Sequence, residues 1–172
     1  MEDQFQHGEL NQGGQVSGSA LEDIEQQFVY KVEPQLAFLA LSQDIHLARW
    51  WCEECSAEAR PGGRVRLFFE NHACSFEVTD FVSYQFMEWK CLDARSGILT
   101  REDWIHSLVS FQISRSGDRG TELRLVHRAL GSPSAREEWV SFWRRYLGNS
   151  LKTYLEFGVG QPAVRVEAPP HR

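Results

Sequence analysis

Apolar and polar residues alternate along much of the chain, a period-two pattern typical of half-buried β-strands. The pattern predicts a first strand at residues 28–32 and further strands between residues 64 and 128. The connections are short, as in Pro-Gly-Gly at residues 61–63, where glycine tolerates positive φ. Short connections predict an antiparallel meander. In its last two strands the predicted inward residues are Ser107, Val109, Phe111, Ile113, Leu123, Leu125 and His127.

One predicted strand, at residues 82–91, does not keep a single parity. Tyr84 and Phe86 share one face of this strand, whereas Trp89 lies on the other. A β-bulge adds one residue to a strand and changes the face of all that follows. We therefore expect a bulge near Met87.

Helical spacing is found on both sides of the alternating region. Pro34 suits the first turn of one short helix, and Asp44 can cap a second. A capping box of Ser134 and Glu137 then begins a helix of about 23 residues, which Gly158 ends. One broad stripe of this helix consists of Trp139, Phe142, Trp143, Tyr146, Leu147, Ser150, Tyr154 and Phe157.

These elements predict an α+β domain in which a curved antiparallel sheet wraps around the long C-terminal helix. We assign the domain to residues 26–160, with two short helices after the first strand. Residues 1–25 are rich in Gln, Gly, Ser and Glu, so we expect a disordered acidic N-terminal arm. Residues 161–172 contain three prolines and are expected to form a flexible C-terminal tail.

Charge excludes some classes of partner. The 172 residues carry a net charge of −6, and six acidic residues with no Lys or Arg lie in the first 25 positions. The remainder is therefore neutral, which disfavours a nucleic-acid binder, because such proteins neutralise phosphates with basic residues. No apolar run approaches the roughly 20 residues of a membrane helix. Without a signal peptide at the start of the sequence, we expect a cytoplasmic protein.

The four cysteines leave two kinds of chemistry open. Cys52 and Cys55 have the spacing of half a zinc site, but Cys74 and Cys91 do not supply the other half. A redox pair normally lies in a loop that opens a helix, whereas this pair follows one. We expect reduced, half-buried cysteines, and we expect neither a metal ion nor a cofactor.

A sheet wrapped around a helix can enclose an apolar cavity, the usual form of a small-molecule site. His127 is the best polar candidate on this wall, where it can bind a ligand oxygen, transfer a proton or act as a buried structural histidine. No inward carboxylate accompanies it, and no nucleophile motif is present, so no catalytic residue is predicted. The predicted wall residues are Trp51, Phe69, Phe76, Tyr84, Phe86, Phe111, Leu125, His127, Trp143, Leu147 and Tyr154.

Several runs resemble one protein family. They are LARWW at residues 47–51, RPGG at 60–63, TELRLVH at 121–127, and the aromatic helix from Trp139 to Gly158. In this order they resemble the START-like (SRPBCC) superfamily, in the branch of activators of the heat-shock-ninety ATPase (AHSA-like). The resemblance implies a helix-grip fold. One departure is Asn-His at residues 71–72, where many relatives have an Asp-Gly type of turn.

The resemblance leaves three functions open, because fold does not determine function. The first is a non-catalytic module that binds a small hydrophobic or aromatic ligand between the sheet and the C-terminal helix. The second is a co-chaperone type of domain that binds a protein partner at the exposed sheet face, where Arg64, Arg66, Phe68 and Glu70 point outward. The same face, with Phe68 and Phe81, would also suit a second copy of the chain. The third is a polyketide-cyclase-like enzyme that uses His127 and a tyrosine.

Overall fold

The structure is a computed structural model that describes residues 23–164, apart from residues 70–71, 97–98, 101–103 and 129–132. The first half contains β1 (Ile24–Tyr30), α1 (Pro34–Ser42), α2 (Asp44–Trp50), β2 (Glu54–Ala57), β3 (Arg64–Phe69) and β4 (His72–Val82). The second half contains β5 (Phe86–Ser96), β6 (Leu99–Thr100), β7 (Leu108–Ser116), β8 (Gly120–Arg128) and the helical segments α3 (Pro133–Trp143), π1 (Arg144–Leu151) and α4 (Lys152–Phe157).

The strands form one antiparallel sheet in the order β1-β8-β7-β5-β4-β3-β2, and the two-residue β6 pairs with β5. Neighbours in the sequence are mostly neighbours in the sheet, which confirms the predicted meander. The exception is β1, which pairs with β8 and closes one side of the sheet. The α+β architecture is therefore a curved sheet around the C-terminal helix, the helix-grip arrangement.

Alternate residues of β7 and β8 face the helix, as predicted. Val109, Phe111, Leu123, Leu125 and His127 are all fully buried. The two strands pair without a shift from Leu108 opposite Arg128 to Ser116 opposite Gly120. This regular register keeps every second side chain on one face.

The prediction for residues 82–91 was wrong at its start. Tyr84 lies in the turn between β4 and β5 with a φ of 63°, so it belongs to neither face of the sheet. Met87 pairs in register with Phe81, and no bulge occurs there. The register shifts lie farther along the β4–β5 pair, between Ser75 and Phe76 and between Val78 and Asp80. The apparent change of parity arose because a turn was included in the strand.

The two short helices are confirmed, with one correction. Pro34 is the first residue of α1, where its missing N–H costs no hydrogen bond. Asp44 is the first helical residue of α2, and the N-cap position is occupied by Gln43. The Asp44 carboxylate instead accepts a hydrogen bond of 2.7 Å from the backbone N–H of Ile45.

The long helix is confirmed, and its middle section has π-helical geometry. The segment π1 faces β1, where the Tyr30 hydroxyl donates a 3.1 Å hydrogen bond to the carbonyl of Leu147. A Cβ on Gly148 would lie 3.3 Å from the Phe28 ring, so the absent side chain allows this close approach. Gly158 ends α4 with a φ of 79°, as predicted. Phe157 is 75% exposed, so the buried stripe ends before it, and the Ser134 side chain lies outside the described residues.

The segment after the helix is held against α2. Ala163 forms a parallel bridge with Cys52, accepting from the Glu53 N–H at 3.0 Å and donating to the Trp51 carbonyl at 2.9 Å. The Ser150 hydroxyl donates to the Trp50 carbonyl and accepts from the backbone N–H of Gln161. The first residues of the predicted flexible tail are therefore hydrogen bonded to the domain.

Replacing Ser150 by alanine is expected to lower the free energy of unfolding by about 1–3 kcal/mol, because a buried carbonyl and an amide N–H each lose their partner. Urea unfolding measures this change. Thr153→Ala is the matched control, since its hydroxyl bonds only to carbonyls of its own helix, and a change of at most about 0.5 kcal/mol is expected there. Equal effects of the two substitutions would contradict the assigned role of Ser150.

Candidate functional site

The interior between the sheet and the C-terminal helix contains most of the predicted wall residues. They are contributed by the end of α2, by the inward faces of β4, β7 and β8, and by one side of α3 and π1. All of these side chains are at most 1% exposed. They are Trp51, Phe76, Phe111, Leu125, His127, Trp143 and Leu147.

Trp51 lies at the centre of this interior. Its ring stacks on Trp89 of β5 at 5.7 Å with an interplanar angle of 17°, and meets Trp143 edge-on at 5.7 Å. Trp89 in turn contacts Phe111 at 4.9 Å, and Trp143 stacks on Trp139 at 5.2 Å. The aromatic rings thus run continuously from the sheet to the helix. Such contacts stabilise a fold beyond the area they bury.

Three buried indoles in this cluster have no hydrogen-bond acceptor among the described residues. They are Trp51, Trp89 and Trp139. Trp50, by contrast, donates to the Ala40 carbonyl at 2.9 Å, and Trp143 donates to His127. A buried N–H without an acceptor costs about 1–3 kcal/mol, so native proteins keep few of them. These three donors are therefore unsatisfied polar groups of the described interior.

His127 is held by a chain of hydrogen bonds that fixes its tautomer. An indole N–H can only donate, so Nδ1, 3.1 Å from Trp143 Nε1, must accept. The proton is therefore on Nε2, which donates to the Ser107 hydroxyl at 3.0 Å. The Ser107 hydroxyl in turn donates a hydrogen bond of 2.7 Å to the Trp104 carbonyl. Neither ring nitrogen of His127 is free to bind a substrate.

Burial also keeps this imidazole uncharged. Desolvation lowers the pKa of His127 from 6.5 to about 3. The rings beside it, Trp139 at 4.5 Å and Trp143 at 5.9 Å, carry no charge that could stabilise an imidazolium. Near neutral pH the side chain is thus a neutral structural group, one of the alternatives that the sequence left open.

Of the remaining predicted wall residues, Tyr84 and Phe86 lie outside the buried cluster, and Tyr154 packs against its edge. Tyr84 is 46% exposed in its turn and packs edge-on against Phe38. Phe86 lies on the outer face of the sheet, and Tyr154 is half-buried with its hydroxyl 2.7 Å from Nδ1 of His46. The side chain of Phe69 lies outside the described residues.

Two surface clefts adjoin these residues. The first, of about 350 Å³, lies at the N-terminus of α1 between Tyr84, Arg115 and Glu33. The second, of about 280 Å³, lies on the outer sheet face, and Arg124 and Arg128 are among the residues that line it. The buried aromatic cluster contributes to neither.

Sequence reasoning missed two residues of the interior site. Trp89 was placed on the face opposite Tyr84, and Trp139 was assigned to the helix stripe but not to the wall. The sequence did contain signals for both. Trp89 is on the same strand face as Cys91, and Trp139 is one helical turn before the predicted wall residue Trp143. That their indole N–H groups lack acceptors depends on the three-dimensional arrangement and has no sequence signal.

The described residues give no indication of a metal site. The four cysteines are free thiols, and in the described ranges no three His, Cys, Asp or Glu side chains gather around a common point. Likewise, no helix in the described part of the chain is long and apolar enough to cross a membrane.

The fold and its aromatic interior define a START-like helix-grip domain of the SRPBCC class. Residues 31–156 match the family described as Activator of Hsp90 ATPase homolog 1-like protein, and the chain belongs to this family. This finding confirms the resemblance that the sequence motifs indicate. No curated protein sequence matches the chain.

Solved structures share the fold at low sequence identity. The solution structure of the Aha1 dimer from Colwellia psychrerythraea is 23% identical, with a TM-score of 0.64 over 81% of this chain and 100% of that one. An HSP90 activator from Plasmodium falciparum is 18% identical, with a TM-score of 0.57 over 74% and 91%. CalU16 from Micromonospora echinospora is 20% identical, with a TM-score of 0.62 over 77% and 73%.

Proposed function

We propose that this domain is a non-catalytic binding module for a small hydrophobic or aromatic ligand that carries an oxygen acceptor. The ligand binds between the sheet and the C-terminal helix, among Trp51, Trp89 and Trp139. The observation that carries this proposal is the set of three buried indole N–H groups without acceptors. We place this activity in the cytoplasm as part of the same proposal.

The chemistry of the cluster supports this class of ligand. Its rings are flat and apolar, and an aromatic ligand would stack on them as Trp51 and Trp89 stack on each other in the free protein. A carbonyl or ether oxygen between the indoles would accept a hydrogen bond that the protein itself does not provide. Each bond formed in this dry environment is worth about 1–3 kcal/mol, since the free protein leaves the donor unpaired.

A non-catalytic role is supported by the state of the polar groups. His127 has both nitrogens engaged and is neutral. The buried polar residues of the described ranges are otherwise hydroxyl residues, and no carboxylate is among them. The interior therefore has hydrogen-bond donors to orient a ligand but no acid–base pair to transform it.

The matched probes fluorenone and fluorene test this proposal, because they share one shape and differ by a carbonyl oxygen. In a tryptophan-fluorescence titration we expect fluorenone to bind about tenfold more tightly than fluorene, the ratio that one hydrogen bond of about 1.4 kcal/mol provides. Replacing the indole that donates, in one of Trp51→Phe, Trp89→Phe or Trp139→Phe, should remove the difference.

Trp50→Phe is the control for these substitutions, because that indole already has an acceptor. It should leave the preference for fluorenone unchanged. Absence of binding by both probes, or equal affinities of the unmodified protein for both, would contradict the proposal.

A second candidate function is a protein-interaction role of the co-chaperone type. The outer sheet face supports it, because the cleft there contains Arg128, whose Nε is buried without an acceptor among the described residues. Arg128 is paired with Glu88, and Arg124 with Glu25 at 2.9 Å. An acidic group of a partner could replace either glutamate. The similarity to an Aha1 dimer and an HSP90 activator points to the same class of partner, including a second copy of this chain.

Purified HSP90 and the double variant Arg124→Ala/Arg128→Ala test this second candidate. We expect the unmodified protein to raise the ATPase rate of HSP90. The double variant should need about a tenfold higher concentration for half-maximal stimulation, because two charge pairs are lost. Arg49→Ala/Arg60→Ala is the control, because Arg49 is exposed on α2 and Arg60 pairs with Glu58 before β3, so neither lies on a strand of the sheet. An unchanged ATPase rate with the unmodified protein rules out the HSP90 partner.

A further inference from the structure

The edge of the sheet at β2 has no neighbouring strand within the described part of the chain. β2 is the last strand in the sheet order and pairs with β3 along one side. The N–H of Glu58, directly after β2, donates to the carbonyl of Arg64 at 2.9 Å. Only every second residue of an antiparallel strand bonds to the same neighbour, so the backbone N–H and C=O groups of Cys55 and Ala57 point away from β3. These groups form an open edge, which can pair with a further strand.

The chain that follows the C-terminal helix reaches the start of this open edge. Ala163 forms a parallel bridge with Cys52. Its N–H donates to the Trp51 carbonyl at 2.9 Å, and its carbonyl accepts from the Glu53 N–H at 3.0 Å. Glu53 and Cys55 are two positions apart, so their N–H groups point to the same side of the chain. A chain that continued this parallel bridge would run along the open edge of β2.

The burial of the two segments agrees position by position where both are described. Ala163 and its bridge partner Cys52 are buried, and the next pair, Val164 and Glu53, is exposed. β2 then has the sequence ECSA, in which exposed and half-buried residues alternate. The tail has RVEA at residues 165–168, in which charged and apolar residues alternate in the same order. The tail sequence therefore fits a strand in the register that the bridge begins.

We propose that the open edge of β2 is a docking site for the chain's own C-terminal segment, and that residues 165–168 add to it as a parallel strand. The proposal replaces the predicted flexible tail over these four residues. It is independent of the proposed ligand site and of the second candidate function.

The register of the bridge specifies which residues meet. It places Arg165 beside Glu54, which brings opposite charges together on the exposed side. It places Val166 beside Cys55, where an apolar side chain suits a half-buried position. Two prolines follow at residues 169–170, and they would end the strand because proline has no N–H to donate.

The chain's own tail is favoured over a strand from a second copy because it already begins at the edge. The bridge at Ala163 holds the following residues within one or two residue lengths of β2, at about 3.3 Å for each residue. The Ser150 hydroxyl, which accepts from the N–H of Gln161, fixes the approach to the bridge. The tail therefore pairs without the loss of translational and rotational freedom that the association of separate chains requires.

A disulfide introduced by Val166→Cys tests the register and the face in the full chain. Neighbouring strands lie about 4.8 Å apart, within the roughly 4.4–6.8 Å that a disulfide spans between Cα atoms. After incubation with oxidised glutathione, we expect the tryptic peptide of residues 166–172 to be linked to the peptide of residues 50–64. Fragmentation of the linked peptides should locate the bond at Cys55 within one chain.

Arg165→Cys is the matched control, because the register points its side chain to the opposite face, beside Glu54. It should give at least about tenfold less cross-link to Cys55 than Val166→Cys does. Equal yields from the two variants, or no cross-link in either, would overturn the proposal. A cross-link that joins two chains would assign the edge to a second copy and would likewise overturn it.

Hydrogen exchange of the backbone amides tests the same pairing without an added thiol. In the proposed ladder the Ala57 N–H donates to the Glu167 carbonyl, and the Glu167 N–H donates to the Cys55 carbonyl. Glu167→Pro removes the second of these bonds and should speed exchange at Ala57 at least about tenfold. Val166→Pro is the control, since the register points its N–H away from β2. Rapid exchange at Ala57 in the unmodified protein, or the same rate in Glu167→Pro, would contradict the added strand.

Discussion

Replacing Trp51 by alanine is expected to lower the free energy of unfolding by about 3–5 kcal/mol, the usual cost of removing a buried tryptophan side chain. The reason is its central position, since its ring contacts Trp50, Trp89 and Trp143 at centroid distances of 4.9 to 5.7 Å. The neighbouring side chains come from different elements and cannot all move into the space. Guanidinium unfolding followed by circular dichroism measures the change.

Phe157→Ala is the control for this substitution. Phe157 is also aromatic but is 75% exposed at the end of α4, so its removal should change stability by at most about 0.5 kcal/mol. A loss below about 1 kcal/mol for Trp51→Ala would mean that the interior is loosely packed around this ring. That result would contradict the described aromatic cluster.

Acid is expected to destabilise the protein through His127. Its pKa is about 3 in the folded protein and 6.5 when unperturbed, so between these values the unfolded chain binds one more proton. The free energy of unfolding therefore falls as the pH decreases below 6.5, by about 1.4 kcal/mol per pH unit from this one group. From pH 7 to pH 4 the loss is about 3 kcal/mol.

The variant His127→Gln should remove this component, because an amide can still accept from Trp143 and donate to Ser107 but does not titrate. We expect the loss of stability between pH 7 and pH 4 to be smaller than in the unmodified protein by about 3 kcal/mol. His106→Asn is the control, since His106 is exposed at a φ of 70°, a conformation that asparagine adopts readily. The same acid sensitivity in His127→Gln as in the unmodified protein would show that His127 is not buried in neutral form.

The fold was largely predictable because its signals are local. Alternation in β7 and β8 identified Val109, Phe111, Leu123 and Leu125 as inward residues, and the register of the hairpin keeps all of them buried. The stop at Gly158 was equally readable, since a left-handed residue after a helix favours glycine. In each case the residue type and its immediate neighbours determine the conformation.

The errors occur where tertiary contacts, and not the local sequence, determine the backbone conformation. Tyr84 has strand propensity, but it lies in a tight turn at positive φ, and Phe38 of α1 packs against its ring. The prediction of a bulge at Met87 failed for the same reason, because the strand was extended through that turn. Ala163 lies in the proline-containing segment that was predicted to be a flexible tail. Its backbone nevertheless pairs with Cys52, more than one hundred positions earlier.

The candidate site was predictable only as a region. The stripe and the strand parity identified Trp51, Trp143 and His127 as interior residues. Whether His127 was a ligand group or a structural one depended on the partners of its two nitrogens, which come from Trp143 and Ser107. Likewise, the indole N–H groups of Trp89 and Trp139 are unpaired because none of the described residues places an acceptor near them, and the sequence does not indicate this.

The most direct test of the proposed ligand site is a fluorenone titration of ¹⁵N-labelled protein, followed in proton–nitrogen correlation spectra. Each tryptophan contributes one indole N–H signal to these spectra. We expect downfield shifts at one or more of Trp51, Trp89 and Trp139, whose N–H groups gain an acceptor. The N–H signals of Trp50 and Trp143, already hydrogen bonded, should change much less. Shifts confined to these two, or spectra unchanged at saturating fluorenone, would contradict a ligand site between the sheet and the C-terminal helix.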